Sequence, residues 1–337
     1  MNFHAKASLE TLRYRASLLA AVREFFVKHG YWECETPVLS RDVVVDANIH
    51  PLSTQVCGEK MYLQTSPEAG MKRLLACGAT AIFQVTRAFR QVECGPLHNP
   101  EFTMLEWYRV NETCHDQMQF VEQLVQHVFT SARQLLTAGS QQAAGGTLPD
   151  ADERFERLAY DEAFQRYTGQ RVLRLENREL MELAKQHAID VPLSLAADDR
   201  DGWLNLLLAE LVEPQLGRTA PLFLFDYPAT QCALAQVRDT DPPVAERFEL
   251  YCRGVELCNG YTELTDADLL AQRTDREREI RRKAGESDLP GAAYLAAAMV
   301  SGLPPCSGVA LGLDRLVMLA LGSDCLPDVL AFPFDRA

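Results

Sequence analysis

Two β-rich runs, AIFQVTRAFR (81–90) and EFTMLEWYRV (101–110), flank a loop that contains glycine, proline, cysteine and the segment HNP. Dense β-branched and aromatic residues on either side of turn formers predict an antiparallel hairpin. This hairpin constrains the chain because it carries charge where a sheet disfavours it. Arg90 ends one arm, and Glu106 sits within the other, sharing a face with Phe102, Met104 and Tyr108 on a straight strand. A carboxylate among such neighbours must be paired, hydrogen-bonded or reserved for a ligand.

The same conflict recurs twice. RFELYCRGVELCNGYTEL (247–264) sets Glu249, Glu256 and Glu263 among apolar and aromatic residues, and GVALGLDR (308–315) places Arg315 after a glycine-spaced strand where an apolar helix begins. Glu249 and Glu256 are an odd number of residues apart, so an unbroken strand would aim them at opposite faces. A bulge or turn near Arg253-Gly254 is needed to bring them together, and Gly254 makes one easy. Arginines meet phosphate, and carboxylates meet Mg²⁺ or an ammonium group, so this mixture suits a nucleotide site.

Around these segments, residues 8–29 read as an amphipathic helix with Ser8 as N-cap and Gly30 just past its end. QTSPEAGMKRLLACG predicts a second helix, with Ser66 as N-cap and Pro67 at its first position. Taken alone, Ser66-Pro67-Glu68 is only a helix start, and Gly308 and Gly312 only permit close packing. Residues 115–137 read as helix, 137–153 as linker, and about 158–216 as helical. PLFLFDYP and CALAQVRD return to a β pattern. DREREIRRKAG (275–285), with mixed charges at helical spacing, reads as a solvated helix face. His50 and His98 read as structural or exposed residues. Strands in runs, with helices before, between and after them, predict an α+β fold around a mixed, mostly antiparallel sheet flanked by helices.

Composition excludes several classes. The net charge of −14 argues against a broad nucleic-acid-binding face. No apolar run approaches the ~20 residues of a membrane span, and the N-terminus lacks the apolar core of a secretory signal. Ten cysteines without a CxxC pair suggest neither a zinc site nor a disulfide framework, consistent with a reducing cytoplasm.

Four segments, in order, resemble the catalytic domain of class II aminoacyl-tRNA synthetases, most closely that of lysyl-tRNA synthetases. HGYWECETPVLS resembles motif 1, FR…HNPEFTMLEWY motif 2, GVALGLDRLVMLALG motif 3, and NGYTELTDA the stretch of the lysine pocket. The resemblance implies one catalytic domain over 1–337, with a helical insertion at about 138–216 and no N-terminal OB barrel for an anticodon. Such a stand-alone core is similar to the family of elongation factor P–(R)-β-lysine ligases. Ser66 and Ala310 agree, standing where the tRNA enzymes have alanine and glycine.

By resemblance, such a protein is an ATP- and Mg²⁺-dependent ligase. It adenylates β-lysine or lysine and transfers it to a lysine of elongation factor P, working as a homodimer without tRNA. Arg90 and Arg315 match the arginines on the α- and γ-phosphates. Asn99, Leu257 and Gly312 match nucleotide contacts, with Glu256 among them. Glu249 and Glu256 match the Mg²⁺ ligands. Ser66, Glu68, Glu106, Tyr108, Asn259, Glu263 and Ala310 match the amino-acid pocket. The chain departs from motif 2 at Val92, where the family has an acid, which leaves Glu93 as a substitute; Pro96 and Leu97 stand near the usual basic residue. Two alternatives remain open: a truncated lysyl-tRNA synthetase-like enzyme that charges tRNA or a small molecule, and a non-catalytic paralogue that senses an amino acid.

Overall fold

A computed structural model describes residues 3–91, 94–138 and 154–337. It divides into two compact units, one made of residues 1–152 with 262–337 and one of residues 153–261.

The first unit begins with α1 (Leu9–Lys28), which starts where Ser8 Oγ accepts the Thr11 N–H at 3.0 Å and is followed by Gly30 at φ 81°. Strands β1 (Trp32–Glu33), β2 (Leu39–Ser40), β3 (Ser53–Val56) and β4 (Glu59–Leu63) lead to α2 (Glu68–Ala76). The expected hairpin follows as β5 (Ala81–Phe89) and β6 (Glu101–Val110), and then α3 (Cys114–Ala138). α2 starts one residue later than expected, because Pro67 occupies the N-cap position and Ser66 Oγ accepts the Glu68 N–H from outside the helix.

In the second unit β7 (Glu156–Ala159) precedes α4 (Tyr160–Thr168), α5 (Asn177–Gln186) and α6 (Arg200–Leu207). Then come β8 (Leu222–Pro228), β9 (Val237–Arg238), β10 (Val244–Cys252) and β11 (Val255–Thr262). The CALAQVRD run is a strand only at Val237–Arg238, since its start lies in a turn. The strand order is β11-β10-β8-β7, with β9 on β10; β7 joins β8 in parallel and the other pairs are antiparallel. Tyr160, Phe164, Leu180, Trp203 and Leu204 form its apolar core with Leu222 and Leu224.

The chain returns to the first unit as α7 (Ala267–Lys283), α8 (Ala293–Gly302), β12 (Cys306–Gly312) and α9 (Leu313–Ala320). Here the order is β1-β5-β6-β12, parallel at β1/β5 and antiparallel elsewhere, and β2-β4-β3 form a separate sheet. Phe26 of α1 stacks on Phe83 at 4.5 Å and meets Trp107 edge-on. β6 is buried without a break from Thr103 to Tyr108, so helices and strands cover both of its faces. α7 is not wholly solvated as expected: Arg281 is buried, donating to the carbonyls of Asp46, Ile49 and Ser287. The fold is α+β, with mixed and mostly antiparallel strands.

Candidate active site

The first unit gathers three carboxylates around one amine. β6 points Glu106 into the interior, where Ser66 Oγ donates to Oε2 at 2.7 Å and Tyr108 Oη donates to Oε1 at 2.6 Å. α2 places Lys72 one turn after Glu68, and Lys72 Nζ lies 2.5 Å from Glu68 Oε1 and 2.5 Å from Glu263 Oε2. Burial raises the Glu106 carboxyl to about 7, with the Glu68 charge adding to it; the two hydroxyl donors and Lys72 oppose the rise. Burial likewise raises Glu263, to about 8, against the pull of Lys72. The Lys72 ammonium is itself pushed up, because the attraction of Glu263 and Glu68 exceeds the penalty of burial.

β12 closes this group. Ala310 is the cross-strand partner of Glu106, and Gly308 that of Tyr108. A Cβ on Gly308 would stand 2.2 Å from Tyr108 Cε1 and 2.7 Å from Glu263 Oε1, so only glycine leaves room for both side chains.

The hairpin loop and the start of α9 hold the expected phosphate residues. Arg90 N–H donates to Pro100 O at 2.9 Å, and its guanidinium lies 5.1 Å from the Phe102 ring centre. Asn99 spans the loop, donating from Nδ2 to Glu101 O and accepting the Phe334 N–H. Arg315 donates from Nε to Leu97 O at 3.2 Å, and its Nη2 is 2.7 Å from His98 Nε2. Gly312 is the N-cap of α9. Val92 and Glu93 lie outside the described residues, as do 139–153 of the linker and insertion.

In the second unit the register answers how Glu249 and Glu256 are related. Arg253 and Gly254, at φ 56° and 77°, make the two-residue turn between β10 and β11, where Cys252 pairs with Val255. Positive φ at both central positions matches a primed hairpin turn. The turn alone does not align the carboxylates. Leu250 pairs with Cys258 and Tyr251 with Glu256, which leaves Leu257 as the extra residue of a bulge. Glu256 is thereby opposite Tyr251 and Asn259 opposite Glu249, so all four share one face. Glu249 is well supplied with donors. Arg247 Nη2 at 2.5 Å and Asn259 Nδ2 at 3.2 Å reach Oε1, while Tyr227 and Tyr251 hydroxyls reach Oε2 at 2.5 and 2.7 Å.

A family model for class II tRNA synthetases (D, K and N) matches residues 1–336. The chain belongs to this family. Among its curated relatives, a protein of Pectobacterium atrosepticum is 42% identical, with the match covering 100% of this chain and 98% of that protein. A Vibrio cholerae relative is 41% identical over 98% of this chain and 97% of its own length, and a Salmonella dublin relative is 42% identical over the same shares. All three carry the name elongation factor P–(R)-β-lysine ligase.

For a class II synthetase fold, ATP is the expected nucleotide. Mg²⁺ fits the donor set of the second unit, which offers carboxylate oxygens and one orphaned oxygen on a single face. Asn259 Oδ1 is buried without a hydrogen-bond partner among the described residues. Hard oxygen donors of this kind suit a small divalent cation. Glu249, accepting four hydrogen bonds, has its oxygens taken in this arrangement, so a cation reaching it must displace a donor.

Three supporting residues escaped the sequence reading. They are Lys72, Arg247 and Asp314. Asp314 is buried and joins three elements: its carboxylate accepts from Arg15 of α1 and from the Thr103 N–H of β6, at 2.7 Å for the latter. A charged residue at a position with apolar periodicity was the available signal for Lys72, which shares the buried face of α2 with Met71 and Leu75.

Proposed function

We propose that this chain adenylates (R)-β-lysine, or lysine, with ATP and transfers the aminoacyl group to a lysine of elongation factor P. The observation that carries the reading is Glu106. A buried carboxylate held by Ser66 and Tyr108 suits an ammonium group, and the same hairpin ends in Arg90, an arginine suited to phosphate. Full-length similarity to relatives named as this ligase supports the same reading.

In activation, a carboxylate oxygen of the amino acid attacks the α-phosphorus of ATP and pyrophosphate leaves. No proton moves, so positioning and charge stabilisation are the whole task. Arg90 takes the α-phosphate oxygens, Arg315 the γ-phosphate, and Asn99, Gly312 and Leu257 position the nucleotide. Glu68, Glu106 and Glu263, with Tyr108, Ser66, Ala310 and Asn259, hold the amino acid. Glu249 and Glu256 would hold Mg²⁺, which would supply positive charge to the phosphates. In transfer, the neutral amine of the acceptor lysine attacks the acyl carbon of the adenylate. AMP leaves and the amine loses a proton.

The reading extends to a single catalytic domain with an insertion, to a homodimer formed through the motif 1 segment, to an acceptor other than tRNA, and to the cytoplasm. Among the described residues no helix is long and apolar enough to cross a membrane. The test is ATP–pyrophosphate exchange with (R)-β-lysine and with lysine, followed by transfer of labelled amino acid to elongation factor P or to lysine tRNA. Exchange and protein labelling are expected. No exchange with either amino acid overturns the reading, and label on tRNA alone replaces it with the tRNA-charging alternative.

A further inference from the structure

Lys72 has no role in the chemistry above, yet it is the most deeply placed charge of the pocket. Its side chain has no exposed surface. Its Nζ is 2.5 Å from Glu68 Oε1 and 2.5 Å from Glu263 Oε2, and 5.8 Å from the centre of the Tyr108 ring. Its field also reaches Glu106, which is otherwise held by the neutral hydroxyls of Ser66 and Tyr108. Three carboxylates thus face one ammonium. A lysine is stable in such a place only while its charge is shared with anions, and anions crowded in this way need cations in number.

We infer that Lys72 is a positioning residue: it supplies one of the three counter-charges these carboxylates need, leaves the pocket short of two, and so matches it to a ligand bearing two ammonium groups. The inference rests on reading this pocket as the amino-acid site and deepens that reading. A ligand with one ammonium leaves a buried carboxylate uncompensated, whereas a diamino acid fills both places.

The groups facing Lys72 agree. On α2 there is Glu68, on β6 Glu106 and Tyr108, after β11 Glu263, and on β12 Cys306. The Cys306 thiol is pushed up to about 12 and the Tyr108 hydroxyl well above its ordinary value, so both stay neutral. The titrating partners are Glu106, near 7, and Glu263, near 8. Without ligand they take up protons near neutral pH, and an arriving dication drives those protons out.

Calorimetric binding of (R)-β-lysine, lysine and 6-aminohexanoate to the full chain, at pH 7 and pH 8.5, tests this. The wild type should prefer a diamino acid over 6-aminohexanoate by at least ~10-fold and release protons at pH 7. Lys72→Met removes the charge that holds the Glu106 and Glu263 carboxyls down, so it should weaken diamino-acid binding at pH 7 by ~10-fold or more and move the rise of affinity with pH to higher pH. Lys72→Gln, which keeps donors but not charge, should behave the same way and serves if the methionine variant does not fold. Wild-type selectivity and pH dependence in the glutamine variant would overturn the inference. So would a methionine variant that binds more weakly but keeps the wild-type pH dependence, which marks a mere packing role, or a wild type with no diamino preference. If the wild type prefers diamino acids but shows no pyrophosphate exchange, the proposed ligase activity fails while the role of Lys72 stands.

Discussion

Asp314 accepts the backbone N–H of Thr103 at 2.7 Å, tying the first turn of α9 to the start of β6. Arg15 of α1 donates to the same carboxylate and to Thr103 Oγ1. Arg315 is the next residue in the chain, so this buried knot sets where its guanidinium starts. Removing one partner of a buried ionic group strands the others. Asp314→Ala is therefore expected to lower unfolding free energy by about 3 kcal/mol. Urea unfolding checks this, and a change within 0.5 kcal/mol (roughly the noise of surface substitutions) would show that the knot is not what holds α9.

Arg315→Ala should separate folding from chemistry. The side chain is half-buried and its visible partners are a loop carbonyl and His98. Pyrophosphate exchange is expected to fall by ~10²-fold or more, as for loss of a charge-stabilising donor. The melting temperature should shift by only a few degrees. Exchange at the wild-type rate would refute the phosphate role.

The pH dependence of stability follows from Glu106. Its folded carboxyl is raised from 4.5 to about 7 by burial, so the folded state binds the proton more tightly than the unfolded state. The contribution is fully present below about pH 4.5 and is lost as pH rises through 7; it amounts to about 3 kcal/mol. Replacing Glu106 with Gln should flatten the fall in stability between pH 5 and pH 8. A variant with the wild-type slope would assign that titration elsewhere.

Gly308→Ala puts a methyl group into Tyr108 and against Glu263. Overpacking of this kind costs about 1–3 kcal/mol. Because Tyr108 donates to Glu106, KM for the amino acid should rise more than KM for ATP. Equal changes in both would place the damage outside the amino-acid pocket.

Glu256→Gln tests the metal reading. The side chain shares a face with Glu249 through the bulge at Leu257, so its loss should raise the Mg²⁺ concentration for half-maximal exchange by ~10-fold or more. An unchanged Mg²⁺ requirement would remove Glu256 from the ligand set.

Much of the first unit was legible before folding was considered. The β5/β6 hairpin, α1 with its Ser8 cap and the buried Glu106 all follow from local pattern, because strand and helix periods and caps are short-range effects. Where a local pattern met a tertiary demand it gave way. Ser66 reads as a helix cap, but its hydroxyl lies just outside α2 and donates to Glu106 as well as receiving the Glu68 N–H. Arg281 reads as solvated and is instead buried, because carbonyls of residues 46 and 49 come from a distant loop.

The chain's own order of residues decided that Glu249 and Glu256 are an odd number apart and that a break in the strand was needed to align them. It did not decide where the break lies. The Arg253-Gly254 turn is encoded by residues that tolerate positive φ, while the bulge at Leu257 exists through pairing of β11 with β10. The same holds for charge. Sequence placed Glu106 and Glu263 among apolar neighbours, but that Lys72 of α2 stands between Glu68 and Glu263 is a consequence of packing between segments far apart in the chain. Local pattern sets which face a side chain takes; long-range packing sets which charge it meets there, and so how strongly it holds a proton.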